Sequence, residues 1–256
     1  MNRATTRVSF RARPENGGGL QRAQCRIELW YAELQHAGWR RLLSLLSDEE
    51  RGRARAFAFD RDARRFIVSH AVLRSLVSRV TGIPVCEVKF RVEPYGKPVV
   101  EPGKSQPIHF SLSRSEELVL IGFAPSPLGV DVEWLEKAID VDALADFVLS
   151  RCEQDGFKRL DPHDRRKAFL QCWTIKEAYL KAIGKGLFLP PNTIEVCLRP
   201  GERAGLQSIF GDERAASRWC VQLVVPREGY VGAVAIEGIP WSTRVRAFDP
   251  CSLMDA

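Results

Sequence analysis

The stretch GVDVEW places two carboxylates, Asp131 and Glu133, on the same side of a predicted strand. Side chains alternate between the two faces of a strand, so Val132 points the opposite way. Two carboxylates on one face repel unless a cation or a proton joins them. Mg²⁺ suits such a pair, because it takes oxygen ligands and is often held by one or two carboxylates plus substrate phosphates. The alternative is an exposed strand edge with two ordinary acids.

The stretch WTIKEAYLKAIGKGL, residues 173–187, predicts a helix that carries a carboxylate and an ammonium on one face. Trp173, Glu177 and Lys181 are spaced four residues apart and therefore form a stripe. The alternative is a surface ion pair, which would contribute roughly 0.3–0.5 kcal/mol. Gly184 can end the helix in a left-handed conformation, and Gly186 lets the backbone approach a ligand closely.

Together the two stretches suggest a metal site. A third carboxylate, Glu177, beside Asp131 and Glu133 would complete a magnesium site. Lys181 would then face the phosphates that share the metal. This arrangement requires the helix and the strand to pack against each other.

Two shorter motifs and an arginine cluster add candidate anion contacts. YGKP places Lys97 in a turn, and FSLSRS presents Ser111, Ser113 and Ser115 at alternating positions. Hydroxyl and backbone N–H groups at such a turn could hold a phosphate, although simple turn chemistry also explains them. Six arginines between residues 51 and 65 predict a mostly solvated face, from which one or two could bind an anion.

The bulk composition fits a globular protein with anionic partners. The chain has 256 residues, a formal net charge of +6, 45% hydrophobic and 27% charged residues. The length allows one large domain or two small ones. The charge favours phosphorylated ligands, acidic proteins or nucleic acids. Basic patches interleaved with aromatic residues are missing, which disfavours nucleic acid.

The cysteines and the hydropathy pattern predict a cytoplasmic protein that does not span a membrane. The seven cysteines form no CxxC pair, which favours reduced thiols in a cytosol. No apolar run approaches the roughly 20 residues of a membrane helix. The first 14 residues carry four arginines and no acid, which predicts a solvated arm, with a transit peptide as the alternative.

The spacing of apolar and turn-forming residues along the chain predicts two halves that each mix strands with one long helix. We expect a disordered arm over 1–24, an N-terminal subdomain over 25–126, a C-terminal subdomain over 127–240 and an irregular tail over 241–256. Predicted helices cover 47–59, 60–82, 140–148, 150–160 and 162–184. Predicted strands cover 25–34, 86–92, two segments joined by a turn at 114–117, 127–135, 193–198, 218–225 and 230–237.

In their order along the chain, GKP, FSLSRS, GVDVE and WTIKEAYLKAIGKGL resemble the 4'-phosphopantetheinyl transferases of the long, single-chain type. Those enzymes activate nonribosomal peptide and polyketide synthases. The resemblance covers residues 25–237 and departs at two positions. Arg114 stands where the family usually has His, and Ser111 stands where it usually has Asn. A guanidinium can still bind a phosphate, because it is always charged and binds bidentately.

The resemblance implies an α+β fold, a pseudo-dimer of two similar α/β subdomains with the active site between them. It implies transfer of 4'-phosphopantetheine from coenzyme A to a serine of an apo acyl or peptidyl carrier protein, with release of adenosine 3',5'-bisphosphate. Asp131, Glu133 and Glu177 would hold Mg²⁺, with Mn²⁺ as an alternative. Lys181 would neutralise the diphosphate, and Glu177 would serve as the base; Asp131 completes the catalytic set.

The resemblance also implies contacts with both substrates. Lys97, Ser113 and Arg114 would bind coenzyme A, as would Arg53 and Arg65 near its nucleotide end. The acidic helix of the carrier would dock on the stretch after Asp140 through Phe147 and Leu149, or around Phe188 and Leu189. A monomer is expected. The alternative function is a catalytically inactive protein of the same fold that binds coenzyme A or a carrier, motivated by Arg114.

Overall fold

The computed structural model describes residues 25–101, 108–197, 204–238 and 241–254. The predicted arm at residues 1–24 lies outside this part of the chain. The helices are α1 (Asp48–Arg55), α2 (Asp60–Thr81), α3 (Val141–Val148), α4 (Arg151–Lys158), α5 (Pro162–Ile183) and α6 (Glu213–Ser217). The strands are β1 (Cys25–Glu33), β2 (Phe90–Val92), β3 (Pro98–Val100), β4 (His109–Ser115), β5 (Leu118–Ala124), β6 (Leu128–Trp134), β7 (Ile194–Cys197), β8 (Gly205–Ile209), β9 (Trp219–Val224), β10 (Tyr230–Glu237) and β11 (Trp241–Ala247).

The two halves of the chain repeat one topology. In the first, the strand order is β1-β5-β4, and in the second it is β6-β10-β9. Each half begins with its first strand, passes through a 22-residue helix (α2 or α5) and ends in the antiparallel hairpin that pairs with that strand. Both long helices stop at a glycine with left-handed backbone angles, Gly82 and Gly184. The predicted α+β pseudo-dimer is therefore confirmed.

Three apolar clusters hold the two halves in a layered order of helix, sheet, sheet and helix. The first cluster joins α2 to β1, β4 and β5, and the second joins α5 to β7 and β10. The third cluster draws residues from both sheets, including Leu29 and Leu120 of the first and Val130 and Val234 of the second. Burial of these side chains, at about 25 cal/mol per Å², therefore also stabilises the junction between the halves.

Strand β6 rests directly on helix α5 because residue 129 is glycine. A Cβ atom at Gly129 would lie 1.9 Å from the carbonyl oxygen of Ala178 and 2.4 Å from the backbone nitrogen of Ala182. No side chain fits in that space. This close approach places the carboxylates of β6 beside the α5 turn that carries Glu177 and Lys181.

The C-terminal tail was expected to be irregular, and this prediction is wrong. Residues Trp241–Ala247 form β11, which pairs in parallel with β1 and becomes the edge of the first sheet. Phe248 follows it into the first core cluster, where its side chain is 6% exposed. The tail forms a strand because its backbone hydrogen-bonds to β1. The polar sequence of the tail does not indicate this pairing with a distant part of the chain.

Several shorter elements also differ from the prediction. The strand expected over 86–92 is a 3₁₀ turn at Val85–Glu87 followed by the short β2, because the Arg74 guanidinium binds the carbonyls of Val85 and Val88. The first helix ends at Arg55 rather than near residue 59. Strands β3 and β8, helix α6 and a 3₁₀ helix at Trp39–Leu45 were not expected. Among the described residues, no helix combines the length and apolar character needed to cross a bilayer.

Candidate functional site

The three alternating serines of β4 connect the first half of the protein to strand β6 of the second. The Ser111 hydroxyl accepts a hydrogen bond from the backbone N–H of Val130 at 3.0 Å. Ser113 donates to Oδ1 of Asp131 at 2.7 Å. Ser115 donates to Oε2 of Glu133, also at 2.7 Å. The orientation of both β6 carboxylates therefore depends on the docking of the two halves.

Lys181 reaches from α5 to the same place. Its Nζ lies 2.6 Å from Oδ1 of Asp131 and 2.8 Å from Oγ of Ser113. The side chain of Asp131 is 5% exposed, whereas that of Lys181 is 29% exposed. The ammonium therefore compensates a buried carboxylate and still faces the surface of the site.

Glu177 is the least compensated carboxylate of the three. Its pKa is raised to about 7, first by burial and then by the negative charge of Asp131, although the positive charge of Lys181 opposes the shift. The pKa of Asp131 is also raised, chiefly by burial, with Lys181 again opposing. A carboxyl group with a pKa near 7 can take up or release a proton close to neutral pH.

The carboxylates of this site are chemically suited to bind a divalent cation. Across the described residues, no three His, Cys, Asp or Glu side chains already converge in ligand geometry. However, Oδ2 of Asp131 and Oε1 of Glu177 are buried and have no hydrogen-bond partner in the described part of the chain. Buried carboxylate oxygens without a partner are unfavourable, and a hard cation with oxygen ligands would satisfy both.

A cavity of about 610 Å³ opens beside this site, between the two halves. Its wall combines α1, α2 and the β2–β3 hairpin of the first half with Lys181, Gly184 and Gly186 of the second. Four of the predicted residues lie in the wall, namely Arg53, Lys97, Ser111 and Lys181. A volume in this range accommodates a small-molecule ligand.

Lys97 links two parts of the cavity wall by hydrogen bonds. Its Nζ donates to the carbonyl oxygens of Ala182 at 3.0 Å and Leu128 at 3.2 Å. Burial lowers the pKa of this ammonium, with Glu93 opposing. Lys97 therefore joins the β2–β3 hairpin to the C-terminal end of α5, where carbonyl groups favour a cation. A direct contact with coenzyme A remains a prediction.

The other predicted cations divide into two places. The guanidinium carbons of Arg53 and Arg114 lie 5.2 Å and 5.9 Å from the centroid of the Phe66 ring. The pKa of Arg114 is lowered by partial burial and by the nearby Arg53 charge, so these two cations share one region. Arg65 lies elsewhere, where it binds the carboxylates of Glu116 at 2.7 Å and Glu117 at 3.0 Å. The structure does not bring Arg65 to the cavity.

The sequence reasoning missed a charged group in the cavity wall. Nδ1 of His70 lies 2.9 Å from Oε1 of Glu50, and Arg74 donates to Oε2 of Glu50 at 3.1 Å. His70, Glu50 and Arg74 all line the cavity. Burial lowers the pKa of His70, although Glu50 opposes the shift. The spacing of Phe66, His70 and Arg74 along one face of α2 was the available signal.

Two family models match consecutive segments of the chain. The N-terminal model of the 4'-phosphopantetheinyl transferases matches residues 29–126, and the 4'-phosphopantetheinyl transferase superfamily model matches residues 127–235. The 4'-phosphopantetheinyl transferase HetI of Nostoc is 34% identical over 206 residues, which cover 79% of this chain and 83% of HetI. The chain belongs to the 4'-phosphopantetheinyl transferases.

A second curated relative carries the same family name. The 4'-phosphopantetheinyl transferase Sfp of Bacillus subtilis is 29% identical over 167 residues, which cover 65% of this chain and 73% of Sfp. The solved holo-[acyl-carrier-protein] synthase of Thermotoga maritima has a TM-score of 0.35 at 22% identity, over 44% of this chain and 62% of that one. The two family models meet between β5 and β6, so this transferase carries both halves in one chain.

Proposed function

We propose that this transferase moves 4'-phosphopantetheine from coenzyme A to a serine hydroxyl of an apo acyl or peptidyl carrier protein of nonribosomal peptide or polyketide synthesis. The reaction would require Mg²⁺ or Mn²⁺ and would release adenosine 3',5'-bisphosphate. One observation carries the proposal. Lys181 lies in the wall of the cavity and contacts Asp131, so the charged site and the cavity are continuous.

The carboxylates and Lys181 have separate roles in this proposal. A divalent cation held by Asp131, Glu133 and Glu177 would neutralise negative charge on the diphosphate of coenzyme A. Lys181 would stabilise the charge that develops on the leaving phosphate, since phosphoryl transfer depends mainly on positioning and electrostatic stabilisation. Glu177, with a pKa of about 7, would accept the proton of the carrier serine hydroxyl.

The cavity would hold the nucleotide part of coenzyme A. Arg53 and Arg114 share the region around Phe66, and the Arg114 guanidinium also donates to the hydroxyl of Ser69 at 3.2 Å. Cations near an aromatic ring suit a phosphorylated nucleotide, because they supply charge for the phosphates. Ser113 is engaged with Asp131 and Lys181, so its role would be to orient these groups near the diphosphate.

The carrier would dock on exposed apolar side chains of the second half. Leu144 and Phe147 of α3 are 39% and 48% exposed, and Phe188 after α5 is 77% exposed. Leu149 does not belong to this surface, because its side chain is 2% exposed and lies in the second core cluster. Arg151 at the start of α4 is exposed and would face an acidic carrier helix.

A monomer in the cytoplasm remains our proposal for the working form. The two halves of one chain together line the cavity, and the β4 serines of the first half bind the β6 carboxylates of the second, so a second copy is not needed to complete the site.

Intact-mass analysis of an apo peptidyl carrier protein tests the reaction. We expect incubation with the transferase, coenzyme A and Mg²⁺ to add the mass of one phosphopantetheine group. EDTA should abolish the gain, and so should replacement of the acceptor serine by alanine. Coenzyme A binding without a mass gain on acyl and peptidyl carriers would contradict the proposal and favour the binding-only alternative.

A further inference from the structure

Glu133 differs from the other two candidate metal ligands in how its carboxylate is engaged. Its Oε1 and Oε2 lie 3.3 Å and 3.0 Å from Nζ of Lys137, and Oε2 also accepts the hydroxyl of Ser115 at 2.7 Å. Asp131 and Glu177 each present one buried oxygen that lacks a partner among the described residues. Glu133 is therefore the ligand that must exchange a partner before it can bind a cation.

Lys137 is placed to hold this carboxylate rather than a substrate. It follows β6 in a turn, where its backbone N–H donates to the carbonyl of Trp134 at 3.2 Å. It does not line the cavity beside the site. Its side chain is 38% exposed, whereas that of Glu133 is 11% exposed. The ammonium therefore covers a nearly buried carboxylate from the solvent side and can swing away without disturbing the core.

We propose that Lys137 is a positioning residue that serves as an internal counter-ion for Glu133 and competes with the divalent cation for it. This inference rests on the proposed function, since it takes Asp131, Glu133 and Glu177 as the metal ligands. In the metal-free protein, Lys137 compensates the charge of Glu133 and keeps the carboxylate at the edge of the site. Metal binding requires this ion pair to open, so Lys137 sets the cation concentration at which the site fills.

Replacing Lys137 by Met removes the charge and keeps an unbranched apolar stem. Two effects then favour the metal. The carboxylate no longer has to leave an ammonium, and the cation is no longer repelled by a nearby positive charge. For an ion pair that is partly exposed, we expect the Kd for the cation to fall about three- to tenfold.

Isothermal titration calorimetry with Mn²⁺ alone, on the full chain, tests the inference. Wild-type protein is compared with Lys137→Met and Lys137→Arg, and with Lys167→Met, an exposed lysine on α5, as the matched control. We expect tighter Mn²⁺ binding by the Met variant, near-wild-type binding by the Arg variant and no change in the control. The thermal midpoint of the metal-free Met variant should fall, and the gain in Tm on adding Mn²⁺ should widen.

An unchanged or higher Kd in folded Lys137→Met would overturn the inference, as would wild-type protein that binds no Mn²⁺. If the Met variant does not fold, Lys137→Gln provides the same comparison with a polar side chain. Failure of the proposed function would look different. The predicted ranking of Kd values would then stand, while the carrier protein would gain no mass under any metal condition.

Discussion

The buried carboxyl group of Glu177 should make the stability of the metal-free transferase fall as the pH rises. Its pKa is about 7 in the folded protein and near the ordinary glutamate value of 4.5 in the unfolded chain. Below about pH 4.5, both states carry the proton. Between about pH 4.5 and pH 7, the folded state keeps a proton that the unfolded state has released. The stability that this proton contributes is therefore lost progressively as the pH rises. Between about pH 5 and pH 8 the loss is about 2–3 kcal/mol, from 1.36 kcal/mol per pKa unit.

The variant Glu177→Gln removes this titration. Over the same pH range, we expect the free energy of unfolding of this variant to change by about 2 kcal/mol less than that of the wild type. Urea titrations in EDTA at about pH 5, 6, 7 and 8 measure the effect. The change with pH is the informative quantity, because an amide in this site also alters the absolute stability. Glu136→Gln, an exposed position in the turn after β6, should follow the wild-type profile.

Parallel profiles for Glu177→Gln and the wild type would refute the reasoning, because they would show that Glu177 titrates normally in the fold. Mg²⁺ gives an independent check at about pH 8. It should restore stability to the wild type, by compensating the ionised carboxylate, and should restore much less to Glu177→Gln.

Three further predictions concern the site, the strand–helix contact and the tail. Lys181→Met should lower kcat about 10²- to 10³-fold in a carrier-loading assay, because it removes the ammonium that we propose to neutralise the diphosphate, and a loss under about threefold would count against that role. Gly129→Ala should separate β6 from α5, because its Cβ would lie 1.9 Å from a backbone oxygen. Both Tm and activity should fall, whereas an unchanged Tm would show that the strand shifts freely. Phe248→Ala should cost about 3–5 kcal/mol in urea unfolding, because this side chain is 6% exposed and packs edge-on against Trp30, and a loss near zero would mean that the tail does not stabilise the first half.

The long helix of the second half could be predicted from the sequence because several signals agree there. Pro162 lies at its first position, apolar residues repeat at helical spacing, and Gly184 ends it with a φ of 71°. The shared face of Glu177 and Lys181 followed directly from that helix. Asp131 and Glu133 were placed on one face of β6 by the two-residue period of a strand, and the structure agrees.

The partners of these carboxylates could not be predicted, because they depend on packing between distant elements. Ser113 was interpreted as a phosphate contact, yet its hydroxyl donates to Asp131, 18 residues further along the chain. Lys137 was not considered, although it follows Glu133 by four residues. Strand β11 was missed for the same reason, since its order comes from pairing with β1 at the other end of the chain. Local patterns predict faces and helix ends, whereas charge compensation is a property of the assembled fold.

The most direct test of the central claim compares the amounts of the two products of the reaction. The transferase would be incubated with limiting apo carrier, coenzyme A and Mg²⁺, and holo-carrier and adenosine 3',5'-bisphosphate would be quantified in the same samples. The account predicts one nucleotide per modified carrier, no product of either kind in EDTA, and a large loss of both with Glu177→Gln. Holo-carrier formed at the wild-type rate by Glu177→Gln, or formed in EDTA, would contradict the assignment of the carboxylate site to this chemistry.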